Sequence, residues 1–244
     1  MNIVIPMAGK GSRFSEAGYV DPKPLIVVKD NLRMVEAVIQ SINIKANYIF
    51  ICHTDHRKYH LESIFDKLDI PSYQIIWTEE TTQGAACSVL LAKELINNCE
   101  PLIIVNSDQI LEWSSEHFLK YVDMNLADSA ILTFNISGND NKWSFVRLSS
   151  DPVYICEVKE KVQISNIATA GLYYFNSGEV FVNSAESMIA ANDRTNGEFY
   201  VAPVYNYVIG AGYNVMNYPI PTIYATGTPD DLATYINSRH WKWL

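Results

Sequence analysis

The stretch that decides the fold of this chain reads Ile3-Val4-Ile5-Pro6-Met7-Ala8-Gly9-Lys10-Gly11-Ser12-Arg13-Phe14, and it is followed by Asp21-Pro22-Lys23-Pro24-Leu25. A β-branched apolar run, typical of a buried strand, ends in a turn that contains Gly9 and Gly11. Glycines allow backbone N–H groups to approach a polyphosphate without obstruction by a Cβ atom, and a helix that starts there adds its positive end. The stretch therefore predicts a phosphate-binding loop between a strand and a helix.

Two cations follow the glycines and support this prediction. Arg13 can bind phosphate oxygens as a planar fork, whereas Lys23, held between two prolines, provides a movable point charge on a stiff segment. The dinucleotide-binding fingerprint is excluded because Phe14 stands where its third glycine would be, and a Walker A loop is excluded because Lys10 is followed by glycine. A simple strand-to-helix turn is the non-functional alternative.

The pattern I-x-P-M-A-G-x-G-x-R-F followed by P-K-P-L resembles the opening of the nucleotidyltransferases that activate sugar phosphates, a superfamily that includes cytidylyltransferases of the phosphocholine type. The resemblance implies an α/β fold, a Rossmann-like three-layer sandwich of the GT-A-like nucleotidyltransferase type, with a mixed, mostly parallel sheet and a β-rich acceptor region. It implies that Arg13 stabilises the departing pyrophosphate and that Lys23 contacts the phosphates during transfer. It assigns contacts with the NTP to Met7, Ala8, Gly9, Lys10, Gly11 and Ser12.

Composition sets limits on architecture and partners. With 244 residues and 48% hydrophobic content, we expect one domain, with an NTP-binding half at 1–125 and an acceptor-binding half at 126–244. The net charge of −9 argues against nucleic acid as a partner. The four scattered cysteines are typical of a reduced, cytoplasmic protein, and no pattern for export or membrane insertion is evident. The oligomeric state stays open.

Strand and helix patterns alternate through the first half, which is typical of βαβ units around a mostly parallel sheet. His56 and His60 lie four residues apart on a predicted helix, a spacing that could serve a zinc ion. The arginine and lysine between them favour a solvated helix instead.

A second glycine-bearing turn precedes a helix predicted at 87–96. Gly84 and Ala85 leave room for a flat ring to lie against the backbone, and Gln83 offers a donor and an acceptor to a base edge. A capped helix with small residues for close packing is the alternative. The family places a helix start of this kind against the nucleotide base, so the resemblance favours the first interpretation.

The apolar run 102–105 predicts a central parallel strand, and it ends at Asn106-Ser107-Asp108. Ligands bind at the carboxyl ends of strands in open α/β sheets, and a carboxylate there suits Mg²⁺ beside a triphosphate. We therefore predict Asp108 as the metal ligand, with Asn106 beside the nucleotide; an aspartate that caps a turn is the alternative. In the family the matching aspartate binds the catalytic magnesium, and many members have a second one where this chain has Ala225.

Strand patterns dominate after residue 125, and this region also resembles the family. The resemblance implies that Glu160 and Lys161 meet the acceptor and its phosphate, and that Thr169 and Gly171 line the acceptor pocket. Glu198 stands beside aromatic residues and suits a hydroxylated acceptor, because rings stack on sugar faces. A surface charge pair, a buried strand and a helix-capping acid are the corresponding structural alternatives.

These patterns predict a Mg²⁺-dependent nucleotidyltransferase in which an acceptor phosphate attacks the α-phosphorus of an NTP. The resemblance implies a sugar 1-phosphate acceptor and an activated product for surface polysaccharide; a cytidylyltransferase for an amino alcohol or polyol phosphate is the alternative. A glycosyltransferase of related fold typically needs Asp-x-Asp, and Asn106-Ser107-Asp108 has one carboxylate. A nucleotide sensor without turnover is a third possibility. The base is not determined.

Overall fold

The computed structural model describes residues 1–238; residues 239–244, predicted as part of the acceptor half, lie outside the described residues. The strands are β1 (Asn2–Pro6), β2 (Val27–Lys29), β3 (Leu32–Arg33), β4 (Asn47–His53), β5 (Ser72–Thr78), β6 (Leu102–Val105), β7 (Gln109–Glu112), β8 (Ser129–Asn135), β9 (Ser144–Leu148), β10 (Ile155–Glu160), β11 (Ile167–Phe175), β12 (Val215–Pro219) and β13 (Thr222–Ala225).

The helices are α1 (Ser12–Glu16), α2 (Met34–Ile42), α3 (Leu61–Phe65), α4 (Ala85–Leu90), α5 (Lys93–Ile96), α6 (Ser115–Met124), α7 (Gly178–Ala190), α8 (Val204–Gly210) and α9 (Pro229–Asn237). Short 3₁₀ turns cover Lys23–Leu25 and Thr54–Tyr59. Within residues 1–238, no helix combines the length and the hydrophobicity needed to cross a membrane.

One mixed sheet, ordered β10-β9-β11-β6-β1-β4-β5 with β8 and β12 attached beside β11, runs through both halves of the chain. The β6-β1-β4-β5 part is parallel, whereas β11 is antiparallel to β6. Alternate residues of β1 pack into opposite cores: Ile3 and Ile5 contact the side that holds α2 and α6, and Val4 contacts the side that holds α4, α7 and α8. Helices therefore cover both faces, which confirms the α/β fold with a mixed sheet.

The histidine segment differs from the prediction. His56 lies in a 3₁₀ turn and is 4% exposed, and His60 begins the next helix in the left-handed conformation, with φ of +52°. The solvated helix is therefore wrong, because the loop after β4 packs His56 into the core. The two histidines share no helix face, and residues 1–238 contain no group of three or more His, Cys, Asp or Glu side chains that could hold a metal ion.

The helix predicted at 87–96 is in fact two helices. It starts earlier, at Ala85, and breaks where Leu91 and Ala92 donate hydrogen bonds to carbonyls three residues back, at 3.1 and 2.9 Å. Tighter hydrogen bonds of this type rotate the axis of the chain. Helix α5 then packs against α7.

A separate two-stranded ribbon of β7 and β13 positions the end of β6. Gln109 pairs with Ala225 at the ribbon's edge. The residues just beyond this pair also meet: the carbonyl of Asp108 accepts hydrogen bonds from the Thr226 N–H and Oγ1, both at 2.9 Å. This ribbon therefore holds Asp108 beside the turn that precedes α9.

Candidate active site

The loop between β1 and α1 is anchored at its start and open at its tip. Met7 and Ala8 are buried, and the Met7 N–H donates to the Ile51 carbonyl of β4 at 2.9 Å. Gly11 has φ of +59°, and a Cβ atom there would lie 3.1 Å from the Cβ of Lys23, so glycine is favoured at this position. The exposed residues of the loop are Gly9, Lys10 and Ser12.

Two adjoining cavities lie where the parallel strands end. The loop cavity, of about 460 Å³, is bounded by the β1–α1 loop together with Thr82, Gly84 and Glu198. The strand cavity, of about 500 Å³, is bounded by β9, β10 and β11, with Arg13 at its edge. Residues that line both cavities are Lys23, Ala85, Asn106, Asp108 and Tyr200.

Lys23 and Asp108 form an ion pair on this shared wall. The Nζ of Lys23 lies 2.7 Å from the Oδ2 of Asp108, and the two side chains are 23% and 21% exposed. Gly227 packs against the same carboxylate, because a Cβ atom there would lie 2.9 Å from its Oδ2. The two most important residues predicted from the sequence are therefore in direct contact, although they come from different segments.

Asp108 fits Mg²⁺ only as one ligand among several. Its carboxylate is partly exposed at the junction of the cavities and already holds a cation, the Lys23 ammonium. Ala225, where many relatives were expected to have a second aspartate, lines the strand cavity without a carboxylate. Mg²⁺ is commonly held by one or two carboxylates together with substrate phosphates and water. The donor set fits a metal that is held largely by the substrate.

Gly84 has a packing role that the sequence patterns did not predict. Its φ is +129°, and a Cβ atom would lie 2.4 Å from the carbonyl oxygen and 2.6 Å from the nitrogen of Phe199. The space on the Cβ side of Gly84 is filled by the Phe199 main chain, so close packing requires glycine here; that a flat ring lies against this turn stays a prediction. Gly84 and Ala85 still line the loop cavity, whereas Gln83 is exposed and its side chain accepts a hydrogen bond from Arg194.

The floor of the strand cavity is polar and buried. Glu160 is 7% exposed and accepts a hydrogen bond from Ser144, which excludes a surface charge pair at this position. Burial raises the pKa of the Glu160 carboxyl, and the Ser144 hydrogen bond partly opposes that shift. Thr169 is 2% exposed, and its hydroxyl lies 3.1 Å from that of Tyr173. The floor therefore offers hydroxyl and carboxyl groups to a polar ligand.

Lys161 stands above this floor in a strained conformation, with φ of +55°. Its Nζ donates to the Tyr200 hydroxyl and lies 4.5 Å from the centre of the Tyr200 ring. Burial, followed by the Glu198 carboxylate, raises the pKa of Tyr200, so its hydroxyl stays protonated at neutral pH. Tyr200, which lines both cavities, thereby holds Lys161 at the wall of the strand cavity.

Two predicted acceptor residues are placed differently by the structure. Gly171 has φ of +72°, and a Cβ atom there would lie 1.4 Å from the Oε1 of Gln109 and 2.9 Å from the Nδ2 of Asn106. It lies beneath these two amides, which line the strand cavity in its place. Glu198 lines the loop cavity with the glycine loop, and its predicted contact with a hydroxylated acceptor stays a prediction.

The residues that form one wall of the strand cavity were not predicted from the sequence. Lys142 pairs with Asp231 of α9 at 2.9 Å, and its Nζ lies 4.8 Å from the centre of the Trp143 ring. The only local signal was a tryptophan beside a lysine in a polar turn. Further cavity residues without a predicted role are Gln109, Asn141, Ser144, Tyr173, Asn196 and Thr228.

The fold and the site define an α/β protein with a glycine loop and a paired lysine and aspartate at the carboxyl ends of its parallel strands. Residues 3–237 match the model of the Nucleotidyl transferase family, and the chain belongs to that family.

Among its relatives is the mannose-1-phosphate guanylyltransferase catalytic subunit beta of Dictyostelium discoideum, 25% identical over 183 residues, which cover 72% of this chain and 50% of the relative. The bifunctional protein GlmU of Methanococcus maripaludis is 28% identical over 177 residues, or 71% of this chain and 39% of that protein. This chain thus spans half or less of the length of these two relatives. The crystal structure of a nucleoside-diphosphate-sugar pyrophosphorylase from Vibrio cholerae superposes with a TM-score of 0.83 at 24% identity, covering 97% of this chain and 100% of the other, and shows the same fold.

Proposed function

We propose that this protein is a Mg²⁺-dependent nucleotidyltransferase that transfers NMP from an NTP to a small phosphorylated acceptor and releases pyrophosphate. One observation carries the proposal: two cavities of different chemistry share a wall on which Lys23 and Asp108 meet. A reaction between two substrates needs both held side by side with the charged groups at the boundary. The glycine loop suits the triphosphate of one substrate, and the polar floor suits the acceptor.

The chain's own residues would act by positioning and by charge. An oxygen of the acceptor phosphate forms a bond to the α-phosphorus, the bond from that phosphorus to the pyrophosphate oxygen breaks, and its electron pair leaves with pyrophosphate. Lys23 on the shared wall, with Arg13 and Lys161 in the strand cavity, would offset the negative charge that these groups bring together. Mg²⁺ bound at Asp108 would neutralise further phosphate charge.

For the acceptor we propose a sugar 1-phosphate. Mannose-1-phosphate guanylyltransferase is among the relatives, and in this chain the Trp143 and Tyr200 rings, with Glu160 on the floor, match the apolar faces and hydroxyls of a sugar. An NTP-consuming enzyme of this type would act in the cytoplasm and supply surface polysaccharide synthesis. The same rings and carboxyl could hold the ammonium of an amino alcohol phosphate, which makes a cytidylyltransferase the second candidate.

The test is pyrophosphate release with Mg²⁺ from each of the five common NTPs against sugar 1-phosphates and small alcohol phosphates. We expect one pairing to react, and Asp108→Asn to lower its kcat by about 100-fold or more, in the range seen when one electrostatic contact to the transition state is removed. Asp69→Asn is the matched control, because the Asp69 side chain is 97% exposed and lies outside both cavities. Unchanged turnover in Asp108→Asn, or binding of an NTP without release from any acceptor, would refute the proposal.

A further inference from the structure

The Lys23 ammonium occupies one of the two carboxylate oxygens of Asp108, the residue predicted to bind the metal ion. The separation of 2.7 Å is that of a charge-assisted hydrogen bond, and both side chains are largely shielded from solvent. The main-chain carbonyl of Asp108 accepts two hydrogen bonds from Thr226, and Gly227 packs beside its carboxylate. A divalent ion on either oxygen of this carboxylate would therefore lie close to the Lys23 ammonium, and the two cations would repel each other.

The backbone that carries Lys23 is held in a turn, whereas its side chain is long and flexible. The segment Lys23–Leu25 is a 3₁₀ turn, and the Leu25 N–H donates to the Pro22 carbonyl at 2.8 Å. The Lys23 side chain lines both cavities, and its Cβ faces Gly11 of the glycine loop. A swing of the flexible side chain would take the ammonium from Asp108 to a phosphate bound on that loop.

A metal ion and the ammonium compete for one carboxylate, and each repels the other at this distance. Phosphate oxygens remove the competition in two ways. They accept hydrogen bonds from the Lys23 ammonium, and they complete the coordination of a metal ion that has one protein carboxylate. Two ligands that each favour the same rearranged state bind with positive coupling.

We propose that Lys23 excludes divalent metal from Asp108 in the free protein and releases the carboxylate when a triphosphate occupies the loop cavity. Metal then enters only with the nucleotide, which prevents a metal ion from being held in a site without substrate. The inference rests on the proposed function in two respects, namely that Asp108 is the metal ligand and that a triphosphate binds in the loop cavity.

The test measures binding of Mn²⁺ alone to the free protein, from the electron paramagnetic resonance signal of unbound Mn²⁺. We expect weak binding to the wild type, at least tenfold tighter binding to Lys23→Met and Lys23→Gln, and loss of that gain in the double variant with Asp108→Asn. Lys161→Met is the matched control, because it removes a cation from the same cavity, and that cation contacts Tyr200 rather than Asp108. The Mn²⁺ affinity of this variant should stay within twofold of the wild type.

Equal Mn²⁺ affinity in wild type and both Lys23 variants, with melting temperatures showing that they are folded, would overturn the inference. An equal gain in Mn²⁺ affinity in Lys161→Met would also overturn the inference, because the effect would then come from the overall electrostatic potential of the cavity. These results are distinct from failure of the proposed function, which would appear as unchanged pyrophosphate release in Asp108→Asn. A gain that persists in the double variant would show that Asp108 is not the ligand.

Discussion

Replacing Gly84 by alanine should destabilise the protein strongly, although Gly84 lies in a turn beside a cavity. The added Cβ atom would lie 2.4 and 2.6 Å from main-chain atoms of Phe199, and φ of +129° is strained for any other residue. Phe199 cannot yield without weakening two backbone hydrogen bonds, from its N–H to the Gln83 carbonyl at 2.8 Å and from the Ala86 N–H to its carbonyl at 3.0 Å.

The magnitude follows from these terms. Backbone strain of this kind costs about 1–3 kcal/mol, and each weakened hydrogen bond costs about 1 kcal/mol. The sum, about 3–5 kcal/mol, corresponds to a fall in Tm of roughly 6–20 °C at 2–4 °C per kcal/mol for a chain of this size. The displaced segment also carries Tyr200, so the contact between Tyr200 and Lys161 should loosen.

Thermal unfolding followed by circular dichroism measures the effect. Gly9→Ala is the matched control from the same cavity, because no atom lies within 4 Å of its built Cβ and its φ lies outside the left-handed range. We expect its Tm to stay within about 2 °C of the wild type, as for most substitutions away from packed features. A fall of less than 2 °C in Gly84→Ala, or an equal fall in both variants, would refute the reasoning.

Two further predictions concern groups outside the glycine turns. Burial, followed by the neighbouring His53, lowers the pKa of His56 from 6.5 to about 4. Between these pH values the unfolded chain binds a proton that the folded chain does not, so His56 costs stability as the pH falls from 6.5 to 4 and costs none above that window. Tm measured against pH should therefore decline less steeply in His56→Leu than in the wild type or in the exposed control His60→Gln; parallel curves would contradict this. Lys142→Ala should raise the KM for the acceptor about 2- to 5-fold, which corresponds to the loss of an exposed interaction worth up to about 1 kcal/mol. The KM for the NTP and the Tm should stay nearly unchanged, because the Lys142–Asp231 pair lines the strand cavity and not the loop cavity. Steady-state kinetics with each substrate varied in turn measures this, and an increase confined to the NTP would be inconsistent with the assigned wall.

The predictions that succeeded depend on local chemistry. The apolar run before Gly9 had to form a buried strand, and Asp108 follows another such run, so both were expected at the carboxyl edge of one parallel sheet. The structure confirms that edge and brings Lys23 to Asp108 there. The prediction that His56 lies on a solvated helix failed for a related reason. Polar neighbours in sequence indicate a solvated face only when the segment is a regular α-helix, and this segment is a 3₁₀ turn.

The sequence alone therefore determined the strand-to-loop pattern, the mixed α/β architecture and the candidate groups Arg13, Lys23 and Asp108, because each depends on residues close together in the chain. The tertiary structure decided what those groups face. Phe199 fills the space beside Gly84, and Lys142 closes the strand cavity against α9. Such contacts join segments far apart in sequence, and they depend on how strands and helices pack, which no local pattern of residues encodes.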